Sequence, residues 1–337
     1  MPGFKFAVPY NNDFSLLEEL VKIKKFNGNE IDEIYLPCPQ EFFGSGRVVS
    51  KLTKEEVIKV IRFCKEHEIR VNMAINSTCE GLKEYTPSYV SRLLKLIKEF
   101  HKTHGLDSVI IANPLLIRKV KKEIPAIEVI TSAFSEIDCL NRAIFFARFG
   151  ADTLTLNGLN RDLETLKEIK ENTNAKIRLM VNEGCIWKCP FRVFHNNYTS
   201  HASKEERPPI DFCGQSCIGL RRYYPFLILT SDWILPQWLK YYKKITLYFK
   251  IVGRTMPKEW IVKRTIDYMK ENYEGNLLEL VESALPAFVR EFKWNIPAKY
   301  FDEKFFKKVT SCNKNCFSCK YCIELMEKIL KEQGINP

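Results

Sequence analysis

Four cysteines in two short-spaced pairs are the residues with the clearest chemical potential in this 337-residue sequence. Cys185 and Cys189 form one C-x3-C pair, and Cys213 and Cys217 form the other; we call them the barrel cysteines. Four thiolates in two such pairs are what a tetrahedral metal ion or a [4Fe-4S] cluster requires. Each pair chelates locally, and the closure entropy of the loop between them grows slowly with its length. Four unrelated buried thiols are the alternative, which the repeated spacing disfavours.

A second, denser run of cysteines lies near the C-terminus, with the spacing C-x3-C-x2-C-x2-C. These C-terminal cysteines are Cys312, Cys316, Cys319 and Cys322. Such spacing suits a cluster or a structural zinc, and we favour a second [4Fe-4S] cluster because the first site already implies machinery that loads clusters. The first three have the spacing of radical-SAM enzymes, but too little chain follows them to build a barrel. We therefore expect a second site, separate from the first.

The elements that must position these residues follow from the hydrophobic pattern. Short β-branched runs alternate eight times with amphipathic segments of helical period. The predicted strands are Phe4–Pro9, Glu33–Pro37, Arg70–Ile75, Ser108–Ala112, Ile127–Thr131, Thr153–Leu156, Ile177–Val181 and Ile245–Val252. This alternation indicates a parallel sheet, and eight units favour a closed (β/α)8 barrel of the TIM type. A doubly wound open sheet is the alternative, but no G-x-G-x-x-G opens the first helix.

The pattern predicts a barrel over residues 1–275 with a long insertion at 182–244 that carries the barrel cysteines. This insertion is too long for an ordinary βα connection. Within it, the aromatic stretch Ser231–Tyr242 is interpreted as a helical wall or lid over the cysteine site. Residues 276–337 are expected to form a small helical extension that contains the C-terminal cysteines.

The residues that follow the predicted strands are repeatedly polar. They are Asn11, Cys38, Asn76, Asn113, Ser132, Asn157, Asn182 with Glu183, and Lys250 with Arg254. The carboxyl ends of barrel strands converge on one face, where the active sites of this fold lie, so we expect a polar pocket there. Any single Asn also has a structural explanation, as a turn residue or a helix N-cap. Lys250 and Arg254 are expected to bind an anionic group, since Arg recognises carboxylate or phosphate with two hydrogen bonds.

Two further residues are catalytic candidates. Glu183, beside the first predicted ligand, is a candidate proton acceptor, and a salt bridge to Arg192 or Arg254 is the alternative. Cys38, between two prolines, is either a reactive thiol or alternate ligand, or a small residue in a turn. Cys139 lies on an apolar helix face, which predicts a place in the core.

The chain carries a net charge of +11, with 52 basic and 41 acidic residues. Such a charge attracts RNA phosphates or an acidic small substrate. A Lys- and Glu-rich surface network, as in heat-adapted proteins, explains it equally well. The stretch Glu41–Arg47, rich in small residues, is either an anion-binding loop or a tight turn with an exposed arginine.

Composition also bears on the compartment. No apolar run approaches the roughly 18 residues of a membrane span, so no span is expected. The N-terminus lacks the charged-then-apolar pattern of a signal peptide, which indicates a cytoplasmic protein. Twelve cysteines in such a protein indicate metal binding rather than disulfides.

Several of these motifs together resemble peptidase family U32, the collagenase-like family. They are the Cys-bearing stretch Asn182–Arg192, the second C-x3-C pair, Ser231–Tyr242 and Phe249–Arg254. The resemblance covers roughly residues 4–270 and is most specific in the barrel cysteines and in Lys250–Arg254, which is similar to the family's K-I-E-G-R signature. Val252 stands where that signature usually has glutamate.

The resemblance implies a barrel that holds a four-cysteine [4Fe-4S] cluster. Several family members act in the oxygen-independent hydroxylation of tRNA, ribosomal RNA or a quinone precursor. We therefore expect an iron–sulfur enzyme that hydroxylates or otherwise modifies RNA or a small anionic substrate, served by an electron donor or a partner subunit. Two alternatives stay open: a peptidase, although no H-E-x-x-H or G-x-S-x-G motif occurs, and a non-catalytic protein that binds RNA or carries clusters.

Overall fold

Eight parallel strands form a closed barrel in the computed structural model, which describes residues 2–205, 211–282 and 285–335. The strands are β1 (Lys5–Pro9), β2 (Lys25–Phe26), β3 (Asn29–Pro37), β4 (Arg70–Ile75), β5 (Ser108–Ile111), β6 (Glu128–Thr131), β7 (Thr153–Thr155), β8 (Lys176–Met180) and β9 (Tyr248–Lys250). Strand β1 pairs in parallel with both β3 and β9, which closes the ring. The short β2 pairs antiparallel with β3, outside the ring, and was not predicted. The predicted TIM-like barrel is confirmed.

Helices connect the strands and form the extension. They are α1 (Phe14–Lys22), α2 (Lys54–Glu66), α3 (Pro87–Glu99), α4 (Pro114–Glu123), α5 (Leu140–Arg148), α6 (Leu163–Asn172), α7 (Arg192–Ala202), α8 (Phe212–Tyr223), α9 (Lys258–Met269), α10 (Leu277–Leu280), α11 (Leu285–Phe292), α12 (Glu303–Ser311) and α13 (Lys320–Lys331). Helix α2 shows how the local sequence determines a helix. It begins with a capping box of Thr53 and Glu56, and its apolar face is buried. None of the helices described is long and apolar enough to cross a membrane.

The barrel interior is layered, as is usual for this fold. Towards the amino ends of the strands, the buried Glu33 carboxylate accepts hydrogen bonds from Asn72 Nδ2, at 2.5 Å, and from Arg178 Nη2. Above this polar layer lies a small apolar cluster. Its members are Ala7, Tyr35, Ala74, Ile110 and Ile130. Lys250 is level with Ala7 in the β1–β9 register, so its side chain starts from the apolar layer next to the carboxyl-end face.

The extension packs against the barrel through aromatic side chains. Trp233 and Trp238 both stack on Phe305, with ring centroids 6.0 Å apart in each pair. Tyr241 stacks on Phe306 at 4.4 Å. The stretch Ser231–Tyr242 therefore joins the extension to the barrel, and the prediction of a lid over the cysteines is wrong. Residues 206–210 of the predicted insertion lie outside the described ranges.

Candidate functional site

The four barrel cysteines line one cavity of about 260 Å³, which we call the cysteine cavity. Cys185 and Cys189 lie in the loop after β8, where the chain leaves the barrel. Cys213 and Cys217 lie one turn apart on α8, so their side chains share a face of that helix. Asp211 starts α8, with its Oδ1 accepting a hydrogen bond from the amide of Gly214 at 2.8 Å. Local spacing and one helix N-cap thus bring the four thiols together.

The size of the cysteine cavity and its donor set bear on what it could hold. Its volume of about 260 Å³ is several times the roughly 30 Å³ share of one water molecule in the liquid. Within the described ranges, no three His, Cys, Asp or Glu side chains are close enough to share a single metal ion. Four thiols in two pairs are the donor set of a tetrahedral zinc ion or of a [4Fe-4S] cluster.

A fully buried arginine lies behind the barrel cysteines. Arg221 Nη1 donates a hydrogen bond to Cys217 Sγ, and its Nη2 donates to the Gly184 carbonyl. Burial raises the pKa of Cys217, while the Arg221 guanidinium acts in the opposite direction. Burial and the neighbouring Glu183 carboxylate raise the pKa of the Cys185 thiol to about 12. Arg221 therefore supplies positive charge where thiolates would need it, a role that the sequence analysis missed.

A smaller cavity of about 60 Å³, the mouth cavity, lies at the carboxyl ends of the strands. It shares four lining residues with the cysteine cavity: Arg47, Phe134, Arg192 and Glu282. Predicted strand-exit residues line the rest of it. Those that do so are Asn76, Ser132, Glu183, Lys250 and Arg254. The two cavities are thus neighbours with a common wall.

Lys250 and Arg254 are two buried cations that line the mouth cavity. Each is only 7% exposed. Both face the Tyr35 ring, with Lys250 Nζ 4.2 Å and Arg254 Cζ 5.8 Å from its centroid. Within the described chain neither forms a hydrogen bond or a salt bridge, and Arg254 Nη1 is buried without a partner. Burial lowers the pKa of Arg254 to about 10, and it lowers the pKa of Lys250, as do Arg178 and Arg254.

The two carboxylates of the mouth cavity differ in whether they form a salt bridge. Glu183 forms a salt bridge with Arg192 at 2.7 Å, which is the alternative considered for it from the sequence. Arg192 also bonds Glu136, at 2.8 Å. Glu282 comes from the extension, and its backbone forms a parallel bridge with Glu183. Its side chain lines both cavities and has no hydrogen-bond or ion-pair partner among the described residues. The sequence analysis missed Glu282.

Other predicted strand exits serve the fold. Asn113 caps α4 by accepting a hydrogen bond from the amide of Leu115 at 2.9 Å. Asn182 Oδ1 accepts from the Val252 amide at 2.8 Å, and its Nδ2 donates to the Val252 carbonyl at 2.9 Å. Asn182 thereby holds the segment before Arg254 against the end of β8. The structural reading of single asparagines thus applies to these two residues.

The glycine-rich loop before Arg47 is a turn rather than an anion-binding loop. Its backbone amides already donate to side chains. The pairs are Gly44 with Glu80 at 3.0 Å, Ser45 with Ser203 at 2.9 Å, and Gly46 with Asn76 at 3.1 Å. A Cβ on Gly46 would stand 1.8 Å from the Phe134 ring, so this position needs glycine. The turn presents Arg47 to both cavities.

Two cysteines outside the groups behave differently from each other. Cys38 is buried and lines neither cavity, and burial, with Glu80 and Glu41 nearby, raises the pKa of its thiol well above the usual range. The prediction that Cys139 lies in the core is wrong: it is exposed, at the residue before α5.

The C-terminal cysteines lie close enough together for their charges to influence one another. All four are partly buried, and burial raises the pKa of Cys322 to about 11. The buried Arg161 stands beside Cys312 and Cys322, and Lys314 Nζ donates to its carbonyl at 3.0 Å. None of these four cysteines lines the cysteine cavity.

Comparison with known proteins identifies the family. The family model for peptidase family U32 matches residues 18–224. A relative called "Uncharacterized protease MJ1657", from Methanocaldococcus jannaschii, is 35% identical over 341 residues, which cover 97% of this chain and 99% of the relative. The solved structure of the U32 peptidase Mk0906 is similar with a TM-score of 0.57 and 18% identity, covering 76% of this chain and 94% of that one, and supports the fold alone. The chain therefore belongs to peptidase family U32.

Proposed function

We propose that this protein is an iron–sulfur enzyme that binds a [4Fe-4S] cluster on the barrel cysteines and modifies an anionic substrate in the mouth cavity. The observation that carries this proposal is the common wall of Arg47, Phe134, Arg192 and Glu282 between the two cavities. A group held by the four thiols would lie next to a molecule held at the strand ends. That is the arrangement an enzyme needs if the group takes part in the reaction.

The residues of the mouth cavity suggest how the substrate would be held. Arg254, with a buried nitrogen that lacks a partner, suits bidentate binding of a carboxylate or phosphate. Glu282 is the better candidate than Glu183 for moving a proton, because Glu183 is bound to Arg192. The cluster would supply electron transfer or Lewis-acid activation. An electron donor or partner subunit would then be required.

For the reaction we propose an oxygen-independent hydroxylation or a related modification, of RNA or of a small anionic molecule. The family resemblance supports the reaction class, and the net charge of +11 is compatible with an RNA substrate. Mass spectrometry of nucleosides from anaerobically grown cells with and without the gene tests the RNA case. Loss of one oxygen from a modified nucleoside in the deletion strain supports an RNA substrate. An unchanged nucleoside profile leaves a small anionic molecule as the substrate.

Replacing Arg254 tests the site itself. Arg254→Ala should weaken substrate binding about a hundredfold or more, because a charged hydrogen-bonding partner is worth a few kcal/mol. Iron content should not change, since Arg254 does not line the cysteine cavity. Arg62→Ala, on the exposed face of α2, is the matched control. Full activity of Arg254→Ala, or proteolysis by iron-free protein, would overturn the proposal, and the second result would favour the peptidase activity that the relatives' names suggest.

A further inference from the structure

Lys250 has an unusual position for a lysine. It ends β9 at the catalytic face of the barrel, it is 7% exposed, and it lines the mouth cavity. A buried ammonium group normally pairs with a carboxylate. Lys250 has no such partner in the described chain, and its Nζ lies 4.2 Å from the centroid of the Tyr35 ring. The mouth cavity therefore contains an amine that forms no hydrogen bond or salt bridge within the described chain.

The charged groups around Lys250 favour the neutral amine. Three arginines act on it: Arg178 on β8, Arg254 in the following loop, and Arg47 in the glycine-rich turn. The Glu33 carboxylate acts in the opposite direction, and it is already bound to Arg178 and to Arg70. A desolvated lysine beside other cations is the form in which lysine acts as a nucleophile at neutral pH.

We propose that Lys250 is a nucleophile that forms an imine with the carbonyl carbon of a small oxo acid, whose carboxylate binds Arg254. In this step the Nζ lone pair attacks the carbonyl carbon and a C–N bond forms. The carbonyl oxygen takes one proton from Nζ and one from the solvent and leaves as water, which gives the protonated imine and consumes neither an oxidant nor a reductant. The resulting iminium ion withdraws electrons from the adjacent carbon. This inference rests on the proposed function, because it takes the mouth cavity as the substrate site.

The size and charge of the cavity define the ligand class. The mouth cavity has a volume of about 60 Å³, against about 260 Å³ for the cysteine cavity, which favours a compact ligand beside Lys250. Lys250 and Arg254 approach the same Tyr35 ring, so an amine and a guanidinium face one small space. This pairing matches a 2-oxo acid.

Reductive trapping tests the proposal. The anaerobically purified protein is incubated with glyoxylate, pyruvate or 2-oxoglutarate and sodium cyanoborohydride, which reduces an imine to a stable amine. Peptide mass spectrometry then locates the adduct. We expect Lys250 to be modified with a saturable dependence on one oxo acid, at least tenfold faster than the exposed Lys244 in the same protein. Modification of Lys250 no faster than that of Lys244 would overturn the proposal.

Two variants separate this proposal from the proposed function. Lys250→Arg removes the nucleophilic amine but still places a nitrogen donor at this position, so the adduct should disappear while iron content and anion binding remain. Arg254→Ala should abolish saturable binding of the oxo acid. This binding is measured as protection of the protein by the oxo acid against thermal denaturation. If Arg254→Ala loses this protection but Lys250 never forms an adduct, the imine is refuted and the anion site stands. If Arg254→Ala retains full protection, the anion site and the imine both fail.

Discussion

The two groups of cysteines have similar spacing in the sequence but different surroundings in the fold. The barrel cysteines come from a strand exit and from a helix, and they line a cavity next to the mouth of the barrel. The C-terminal cysteines come from one short run: Cys312, Cys316 and Cys319 lie between α12 and α13, and Cys322 lies in the first turn of α13. Phe317, inside that run, packs on Tyr224 and Phe226, with centroids 5.4 Å apart in both pairs. The second group thus lies where the extension meets the barrel.

The arginines beside the two groups sharpen this difference. Arg221 already donates to Cys217 and to a carbonyl. Arg161 donates its Nη1 to the Leu229 carbonyl at 2.5 Å and stacks on Trp233, but its Nε and Nη2 are buried without a partner in the described chain. Arg221 thus donates to the sulfur of Cys217, whereas the Arg161 guanidinium donates to no cysteine; both guanidinium groups keep a buried nitrogen without a partner in the described chain. Similar spacing therefore does not imply a similar role.

The largest expected effect comes from single cysteine substitutions in each group. Cys213→Ser should strip the metal from the barrel site and lower stability, because metal binding is coupled to folding. Cys319→Ser should strip only the C-terminal site, whether it holds a cluster or zinc. Iron and zinc analysis with anaerobic EPR spectra measures both. Loss of both metals from either variant would mean that the two groups of cysteines form one shared site.

These substitutions test the separation better than truncation at Thr310 does. Truncation would also remove α13, whose Met326, Ile329 and Leu330 are buried in the core. Leu→Ala-type losses of buried side chains cost about 2–5 kcal/mol each. A truncated chain could therefore lose the barrel metal merely by unfolding.

Substitutions of Arg221 and Arg161 should have the next largest effects. Arg221→Met should cost about 1.5–3 kcal/mol in the free energy of unfolding, because the buried Gly184 carbonyl loses its charged donor and keeps the longer hydrogen bond from Ser231 Oγ, at 3.3 Å. It should also make the reduction potential of the barrel site more negative, since a positive charge beside Cys217 is lost. Arg161→Met should leave that potential unchanged. A redox titration followed by EPR that gave the larger shift for Arg161→Met would reverse this assignment.

A smaller change should deform the wall of the barrel site alone. Gly46→Ala places a Cβ 1.8 Å from the Phe134 ring, which lines both cavities. Overpacking of this kind costs about 1–3 kcal/mol, measurable by denaturation, and the metal at the C-terminal site should stay. Gly219→Ala on α8 is the matched control: nothing lies within 4 Å of its added Cβ, and alanine should stabilise that helix by about 0.5–1 kcal/mol. Equal destabilisation by both changes would contradict this reading.

The last expected effect is a pH dependence near Arg161. Burial raises the pKa of Asp232 to about 7 despite the hydrogen bond from the Asn160 amide. Between about pH 4 and pH 7 the unfolded chain therefore ionises this carboxyl while the folded chain does not. The free energy of unfolding should fall with rising pH, by at most about 1.4 kcal/mol per unit, and the loss should be complete above pH 7. Asp232→Asn should remove this slope, and an unchanged slope would assign it to another group.

Features with local causes could be predicted from the sequence. The barrel follows from a hydrophobic pattern read over short windows, and the position of Lys250 and Arg254 follows from their place after the last strand. The cavity of the barrel cysteines follows from two i, i+4 spacings and a strand exit. Each of these signals lies within a few residues of the feature it predicts.

Features that depend on distant contacts could not be predicted. Glu282 reaches the site through a backbone bridge to Glu183, almost a hundred residues earlier, and nothing around Glu282 signals this. Arg221 looks like an ordinary charged helix residue until its burial is known. The sequence around Trp233 and Trp238 does not show that they pack on the extension, because their partner Phe305 lies far along the chain.

The bridge between Glu183 and Glu282 also has a consequence for the order of events on the ribosome. Cys217, the last of the barrel cysteines, is translated well before Glu282, which lines the shared wall of the two cavities. A nascent chain thus carries all four thiols while one side of their cavity is still missing. Any group delivered at that stage meets an open cavity, and the arrival of the extension encloses it.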